Sequence, residues 1–291
     1  MNVVRIMNGI GNQMFQYAFY KKLKLMGKDV RADISWFDSP QADRVFFLKD
    51  AFPDIELDTE GAADEVRRMM TAICSRPIWK KAFQCVFKDG RTRVKDGHGQ
   101  IYKPKYLQME DRYFDGYWQS ERYWLKEKDE ILSSFTFRDI KNERLQQIEG
   151  ICRGKDTVSV HVRRGDYLSV NRKGLFAGIC TEEYYRKAFD YAQSMIPNAC
   201  YIFFSDDVQW VRENWSLDNQ VIAADYLDAG LPDWIEMKLM SLCANNIIAN
   251  STFSWWGAYL NRNPQKVVVS PRIWLNGVKT PDICPPEWIQ M

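Results

Sequence analysis

The sequence predicts an α/β protein of parallel, doubly wound type, and three observations predict it. The first stretch, to about residue 35, has the order strand, helix, strand. From residue 157 to 269, short apolar runs alternate with segments of helical periodicity, the pattern of a parallel sheet with crossover helices. Several of those runs end in a polar cluster at their carboxyl end, the edge at which open α/β sheets bind ligands. At 291 residues the chain has the length of one large domain or two ordinary ones.

In order along the chain, Val3-Val4-Arg5-Ile6 is a short strand and Asn8-Gly9-Ile10-Gly11-Asn12 a turn. Gln13 to Met26 is helical, with Phe15, Phe19, Leu23 and Met26 at helix spacing, and Gly27 is its C-terminal cap. Val30 to Ile34 is the next strand. Gly9 and Gly11 supply two glycines of a dinucleotide loop, but Met14 occupies the position of the third. Asp33 lies inside the second strand and Asp38 beyond it, so NAD is disfavoured. The loop's backbone N–H groups and Asn12 still suit an anionic or polyhydroxyl ligand.

Residues 36–150 are less regular. Amphipathic helical patches occur near 62–72 and 77–88, and a basic, glycine-containing loop runs from Lys88 to Gly99. The segment from Gly116 to Trp124 is dense in aromatics, and a charged helical run leads to Phe135. The polar break Glu149-Gly150…Gly154-Lys155-Asp156 predicts units of 1–153 and 154–291.

The second half is cleaner. Thr157 to Val162 is a strand, and Thr181 caps a helix whose first turn carries Glu182 and Glu183 and which Pro197 closes. Cys200 to Phe204, Gln220 to Ala224, Asn246 to Ala249 and Lys266 to Val269 are further strands. Helices follow near 208, over Pro232 to Ala244 and over Phe253 to Leu260. Arg163 to Tyr167, Ser205 to Asp207, Asp225 and Asn250 to Ser254 would then converge on one edge.

Hydrophobic residues make up 46% and charged residues 27%, an ordinary globular balance. The 14% of aromatics, 11 Trp among them, fits core packing or stacking on sugar rings. The net charge of +2, with no basic tail or stripe, excludes a nucleic-acid footprint. The Lys21-Lys22-Leu23-Lys24 cluster reads as a solvated helix face, with peripheral contact to anionic lipid as the alternative. Seven cysteines at wide spacings form neither a zinc ribbon nor a disulfide framework. With no apolar signal core and no window of ~18 apolar residues, a soluble, cytoplasmic protein is expected. Only two histidines exist, 98 and 161, so a His-based metal site is disfavoured.

The chemistry concentrates in His161-Val162-Arg163-Arg164-Gly165-Asp166-Tyr167. Two guanidiniums at a strand end suit bidentate recognition of a diphosphate. The bland alternative is a loop ion pair with Asp166. Asp206-Asp207 lacks the alternate spacing of a metal-holding Asp-x-Asp, and arginines would already neutralise phosphate, so metal-free binding is the expectation, with these carboxylates accepting from ribose or base. A guanidinium aimed at a departing diphosphate acts mainly as the bond breaks and is therefore catalytic. Arg163 is assigned that role. Asp33, Asp38 and Asp115 are candidates for the base. His161 either orients Arg163 from within its strand or transfers a proton. Trp255 and Trp256 read as packing residues; for Tyr117 and Trp118, packing and a sugar platform stay open.

These residues together resemble the bacterial α-1,2-fucosyltransferases of glycosyltransferase family 11. Asn8 to Ala18 is similar to the family's opening G-G-x-G-N-Q-x-F-Q-Y-A, with Asn8 in place of the first glycine. Gly116-Tyr117-Trp118-Gln119-Ser120 resembles its central G-Y-[FW]-Q-S. His161 to Tyr167 matches H-x-R-x-G-D-Y, and Ser205-Asp206-Asp207 and Asn250 to Ala258 match the last two blocks. Ala244-Asn245 stands where many members carry Lys-His.

The resemblance implies a GT-B fold of two Rossmann-like lobes, with the nucleotide-sugar site in the C-terminal lobe. It implies inverting, metal-independent transfer from GDP-fucose to the 2-hydroxyl of a β-galactoside such as lactose, N-acetyllactosamine or a surface glycan. Arg163 maps to the diphosphate-binding arginine, within a catalytic motif that also holds His161 and Asp166. Arg164, Asp206, Asp207, Asn250, Ser251, Thr252, Phe253 and Ser254 are expected around the nucleotide. Glu236 is placed to read the guanine N–H edge, and Gly9, Gly11, Asn12 and Gln13 to contact the donor. The rival readings are a transferase of another nucleotide sugar and a non-catalytic glycan-binding module.

Overall fold

The computed structural model describes residues 1–40, 42–74, 93–96, 101–168 and 173–291, with the side chains of 69–74, 166 and 173 excepted. The 77–88 patch and most of the 88–99 loop, with Cys85 and His98, lie outside the described residues. The chain forms two compact units, one of Met1–Thr136 and Pro281–Ile283, the other of Phe137–Thr280 and Cys284–Met291.

The first unit holds four parallel strands, β1 (Asn2–Arg5), β2 (Val30–Asp33), β3 (Arg93–Lys95) and β4 (Tyr113–Asp115), in the order β2-β1-β4-β3. The Ile10–Leu25 helix joins β1 to β2. It starts three residues earlier than the periodicity predicts, with Gly9 as its N-cap, so Gly11, Asn12 and Gln13 lie in its first turn. Its end is the expected glycine cap. Gly27 has φ +74°, its N–H donates to Lys24 O (2.9 Å), and Lys28 N–H donates to Leu23 O (3.1 Å).

Gln13 and Gln16 are buried in this helix and serve as internal braces. Gln13 Nε2 donates to the carbonyls of Asn8 (2.7 Å) and Val45 (2.8 Å), while its Oε1 accepts from Phe47 N–H (3.0 Å). Gln16 accepts from Met7 N–H (2.9 Å) and donates to Gly116 O (2.9 Å), tying β1's exit to β4's. The lysine cluster is not a uniformly solvated face. Lys22 is buried and pairs with Glu127 at 2.6 Å, and Lys24 pairs with Asp58 at 3.3 Å.

Trp118 is wholly buried and stacks on Phe19 with ring centroids 4.5 Å apart, so it is a core residue and not a sugar platform. Gly116 is required where β4 leaves the sheet, since a Cβ there would lie 2.4 Å from Asp96 Cβ and 2.9 Å from Asp96 N.

The second unit holds six parallel strands in the order β10-β9-β8-β5-β6-β7. They are β5 (Thr157–Val162), β6 (Cys200–Ser205), β7 (Gln220–Ile222), β8 (Asn245–Ile247), β9 (Val268–Ser270) and β10 (Ile289–Gln290). Val158, Val160 and Val162 face a core completed by Tyr185 and Phe189 of the Glu182–Met195 helix and Phe203 of β6. Ser159 and His161 alternate onto the other side. There Asn246 donates to Ser159 Oγ (2.7 Å) and to Met240 O (2.9 Å). The Trp234–Leu242 and Thr252–Leu260 helices approach closely there, because a Cβ on Gly257 would lie 2.9 Å from Met240 Cβ.

The unit boundary falls at 136/137, ahead of the expected 153/154. The reason is the Glu143–Cys152 helix, which buries Leu145, Ile148 and Cys152 and pairs Glu149 with Lys238 at 2.6 Å. The polar break at 150–156 is thus a helix-to-strand turn inside the second unit. Among the described residues no helix is long and apolar enough to cross a membrane.

Gly116→Ala is expected to destabilise the fold by about 1–3 kcal/mol, because the added methyl meets backbone it cannot displace. Thermal unfolding of the variant checks this, the expectation being a midpoint lowered by several degrees.

Candidate active site

The site is built by one register. Val162, the last residue of β5, lies opposite Ser205, the last of β6. Parallel neighbours end together, so Arg163-Arg164 and Asp206-Asp207 leave the sheet side by side. Arg163 Nε lies 3.2 Å from Asp206 Oδ2 and Arg164 Nε 3.2 Å from Asp207 Oδ2. Asp206 Oδ1 also accepts from the Arg164 backbone N–H at 2.9 Å.

Asp207 does a second task as N-cap of the Val208–Asn214 helix, accepting from Trp210 N–H at 3.1 Å. That helix returns Trp210 beneath the Arg164 guanidinium, 4.1 Å from the ring centroid. Gly165 leaves room for the pairing, since a Cβ there would come 2.8 Å from Asp206 Oδ2. The aspartates therefore hold the arginines in place, a role distinct from the direct ligand contact read from the sequence. The expected loop pair with Asp166 is not described, because that side chain lies outside the described residues.

The third cluster follows β8. Ser251 caps the Thr252–Leu260 helix by accepting from Phe253 N–H at 3.3 Å, leaving the first-turn N–H groups at the carboxyl edge. Asn250, only 2% exposed, is spent on scaffolding. Its Nδ2 donates to Trp274 O (3.1 Å) and Phe176 O (3.3 Å), and its carbonyl accepts from Tyr167 OH (3.0 Å). Ser254 is buried and donates to Ala249 O at 3.4 Å. Thr252 and Phe253 remain half-exposed.

Glu236 belongs to the same electrostatic group. Burial pushes its carboxyl up to about 7, with Asp233 and Asp206 adding to the rise and Arg163 opposing it. His161 lies beneath. Its ring is 3% exposed, and burial followed by the Arg163 charge pushes it down to about 3. Its carbonyl accepts from Tyr185 OH at 2.8 Å. The ring is thus sealed from solvent, and its buried Nδ1 makes no hydrogen bond among the described residues. Among the described residues no group of three or more His, Cys, Asp or Glu could hold a metal ion.

Gly9, Gly11, Asn12 and Gln13 form a separate group at the carboxyl edge of the first sheet. Gln13, expected as a ligand contact, is buried and fully engaged by the bonds given above. Asn12 is half-buried and accepts from Gln119 Nε2 at 2.7 Å. Among the base candidates, Asp33 accepts from Tyr113 OH (2.7 Å) and Ser35 N–H (2.9 Å), and Asp115 from Arg5 (3.1 Å) and Arg93 (2.8 Å). Both are buried, while Asp38 is exposed.

The sequence pattern of glycosyl transferase family 11 matches residues 73–291. The chain belongs to this family. An α-1,2-colitosyltransferase of Escherichia coli is 26% identical over 99% of the family 11 chain and 98% of its own length. A galactoside α-(1,2)-fucosyltransferase 1 of Leontopithecus chrysomelas is 32% identical over 46% of the chain and 38% of its own length. The crystal structure of fucosyltransferase NodZ from Bradyrhizobium shares the fold, with a TM-score of 0.50, 13% identity, and coverage of 89% of this chain and 92% of that one. The family 11 chain thus has the GT-B pattern of two parallel α/β units.

Two departures from the family motifs gain a physical account. Asn8 adopts φ +66°, the left-handed conformation a glycine would take, which asparagine tolerates better than other residues. Ala244 and Asn245 lie at the amino end of β8, where Asn245 Oδ1 accepts from Val267 N–H at 2.9 Å, so they stand at the edge opposite the arginines.

Glu236→Gln is expected to flatten the acid side of the stability profile. A carboxyl raised from about 4.3 unfolded to near 7 folded costs nothing below pH 4 and progressively destabilises as pH rises toward 7. Urea unfolding at pH 5 and 7.5 should show the wild type losing on the order of 2 kcal/mol more than the variant.

Proposed function

We propose that the chain transfers L-fucose from GDP-fucose to the 2-hydroxyl of a terminal β-galactoside, forming Fuc-α-1,2-Gal with inversion and without a metal. The observation that carries the reading is the pair of half-buried arginines held by Asp206 and Asp207 beside the first turn of the Thr252–Leu260 helix. Guanidiniums and helix N–H groups together suit a diphosphate. The C1–O bond to the β-phosphate breaks and the electron pair leaves with GDP. The acceptor O2 forms the new bond from the opposite face, and its proton is released.

Arg163 meets the charge that grows on the departing diphosphate, so its contribution is largest in the transition state. Arg164, clamped by Asp207 and Trp210, binds phosphate in ground and transition states alike. Glu236, once ionised, accepts from the guanine N1–H and amino group together. The galactoside acceptor is supported by the fucosyltransferase 1 relative and the α-1,2 linkage by both relatives.

A second reading, a donor carrying colitose, is supported by the similarity to the colitosyltransferase along nearly the whole chain. Linkage analysis of products from GDP-fucose and a β-galactoside panel tests the proposal. A product only with another nucleotide sugar selects the second reading.

Arg163→Ala should lower kcat by about 10²–10³-fold, and Arg163→Lys should recover little because a point charge lacks the planar fork. Steady-state kinetics check this, and wild-type-like turnover of the alanine variant rejects the role. Activity is expected to persist in EDTA. Strict dependence on added Mn²⁺ or Mg²⁺ rejects the metal-free reading.

A further inference from the structure

Beyond the two aspartates, the Arg164 guanidinium has a support that comes from outside the strand ends. The Val208–Asn214 helix packs Val211 into the core of the second unit and carries Trp210 half-exposed in its first turn. Trp210 meets the buried Trp215 edge-on, with ring centroids 6.3 Å apart. Trp215 in turn meets Phe189 (5.1 Å) and Tyr185 (6.2 Å) of the Glu182–Met195 helix, again edge to face. The outer indole is thereby anchored to the core through favoured aromatic contacts. Arg164 lies over its face, with the guanidinium carbon 4.1 Å from the ring centroid.

The supports of this side chain act on different parts of it. The Arg164 backbone N–H donates to Asp206 Oδ1 at 2.9 Å, which fixes where the side chain leaves the chain. Its Nε donates to Asp207 Oδ2 at 3.2 Å, which fixes one edge. Asp207 is itself held, since its Oδ1 accepts from Trp210 N–H (3.1 Å) and its N–H donates to Ser205 Oγ (3.0 Å). The indole fixes the plane. Guanidinium donors all lie in one plane. With Nε spent on Asp207 and one face on Trp210, the outer edge with both Nη nitrogens is left for a bidentate phosphate contact.

A half-exposed ion pair restrains an arginine weakly and leaves its plane free to turn. Ordering such a side chain only when the ligand arrives costs affinity. Stacking on tryptophan, the best of the aromatic partners for a cation, removes that cost in the free protein. Arg163 stands farther from its aromatic neighbour, 5.8 Å from the Tyr167 ring centroid, at the outer reach of such contacts. The indole platform is therefore a device for Arg164, and its effect falls on donor affinity and not on the barrier.

We infer that Trp210 is a positioning residue for donor binding, its indole presetting the plane of Arg164 so that the Nη edge meets the diphosphate on arrival. The inference rests on the diphosphate donor proposed above. Trp210 acts through Arg164 and makes no contact of its own with the donor.

The test is a double-mutant cycle on the full chain, read by calorimetry with GDP and by steady-state kinetics with GDP-fucose, with a melting temperature for every variant. Trp210→Leu should weaken GDP binding and raise donor KM by about fivefold or more, with kcat held within about threefold. Trp210→Phe and Trp210→Tyr, which keep an aromatic face, should recover most of the affinity. In an Arg164→Ala background, Trp210→Leu should change GDP affinity by less than about twofold, because the group it positions is gone. If Trp210→Leu melts too low to assay, Trp210→Met takes its place in the cycle.

An equal loss with and without the Arg164 guanidinium assigns Trp210 to the scaffold or to direct donor contact and overturns the inference. Unchanged GDP affinity in the folded Trp210→Leu protein, or a fall in kcat at constant KM, overturns it as well. Coupling of the two residues on UDP in a protein that does not bind GDP supports the positioning role and removes the guanine donor. Wild-type protein that binds neither nucleotide removes the diphosphate reading and the inference together.

Discussion

Two guanidinium–carboxylate contacts across neighbouring strand ends are the constraint on which the arginine site depends. Each is half-exposed, and as a contribution to stability each is worth about 1 kcal/mol or less. Their value lies in orientation. Arginine side chains are long and rotamer-rich, and a diphosphate can use them fully only if their planes are fixed beforehand. Asp206 and Asp207 fix them because β5 and β6 are parallel and end in register, and Gly165 permits the approach. A one-residue slip between these strands would turn alternate side chains to the other face and separate the pairs.

Around that contact the molecule spends polar side chains on holding backbone. Asn250 ties together the segments at 176 and 274, Asn246 links β8 to β5 and to the helix above, and Gln13 and Gln16 brace the exits of β1 and β4. These amides are buried and bonded through both ends, as burial demands. Arg163, Arg164, Thr252, Phe253 and Tyr117, by contrast, stay half-exposed. His161 and Glu236 show how the same burial acts on titratable groups. It keeps the imidazole uncharged under Arg163 and holds the carboxyl near neutrality.

Much of the second unit was legible in the sequence because β5 and β6 run six residues each, the short β7, β8 and β9 sit within longer apolar runs, and its helices carry explicit caps. Thr181 and Ser251 cap helices through their side chains. The strands β3, β4 and β10 were not legible, since each is two or three residues long and interrupted by a charged or polar residue, with no longer apolar run around it. Without β4 the first sheet could not be ordered, and the meeting of Asn8 with Tyr117 could not be foreseen. The pairing of arginines with aspartates likewise depends on register between segments 42 residues apart, which spacing along the chain does not encode. Asn250, Ser254 and Gln13 carry the residue types of ligand contacts, and only their burial distinguishes them as braces. Trp210 had a readable signal, standing three residues after the Asp207 cap.

The short segment Pro281–Ile283 has a consequence for how such chains can be recombined. Asp282 accepts from Tyr102 N–H at 2.9 Å and pairs with Arg122, so the first unit is completed by residues that follow most of the second unit along the chain. A chimaera of two homologues joined only at 136/137 would give one parent's amino-terminal unit the other parent's closing tripeptide. Exchange of a whole unit therefore needs three crossovers, and shuffling libraries cut at a single point would under-report which halves are compatible.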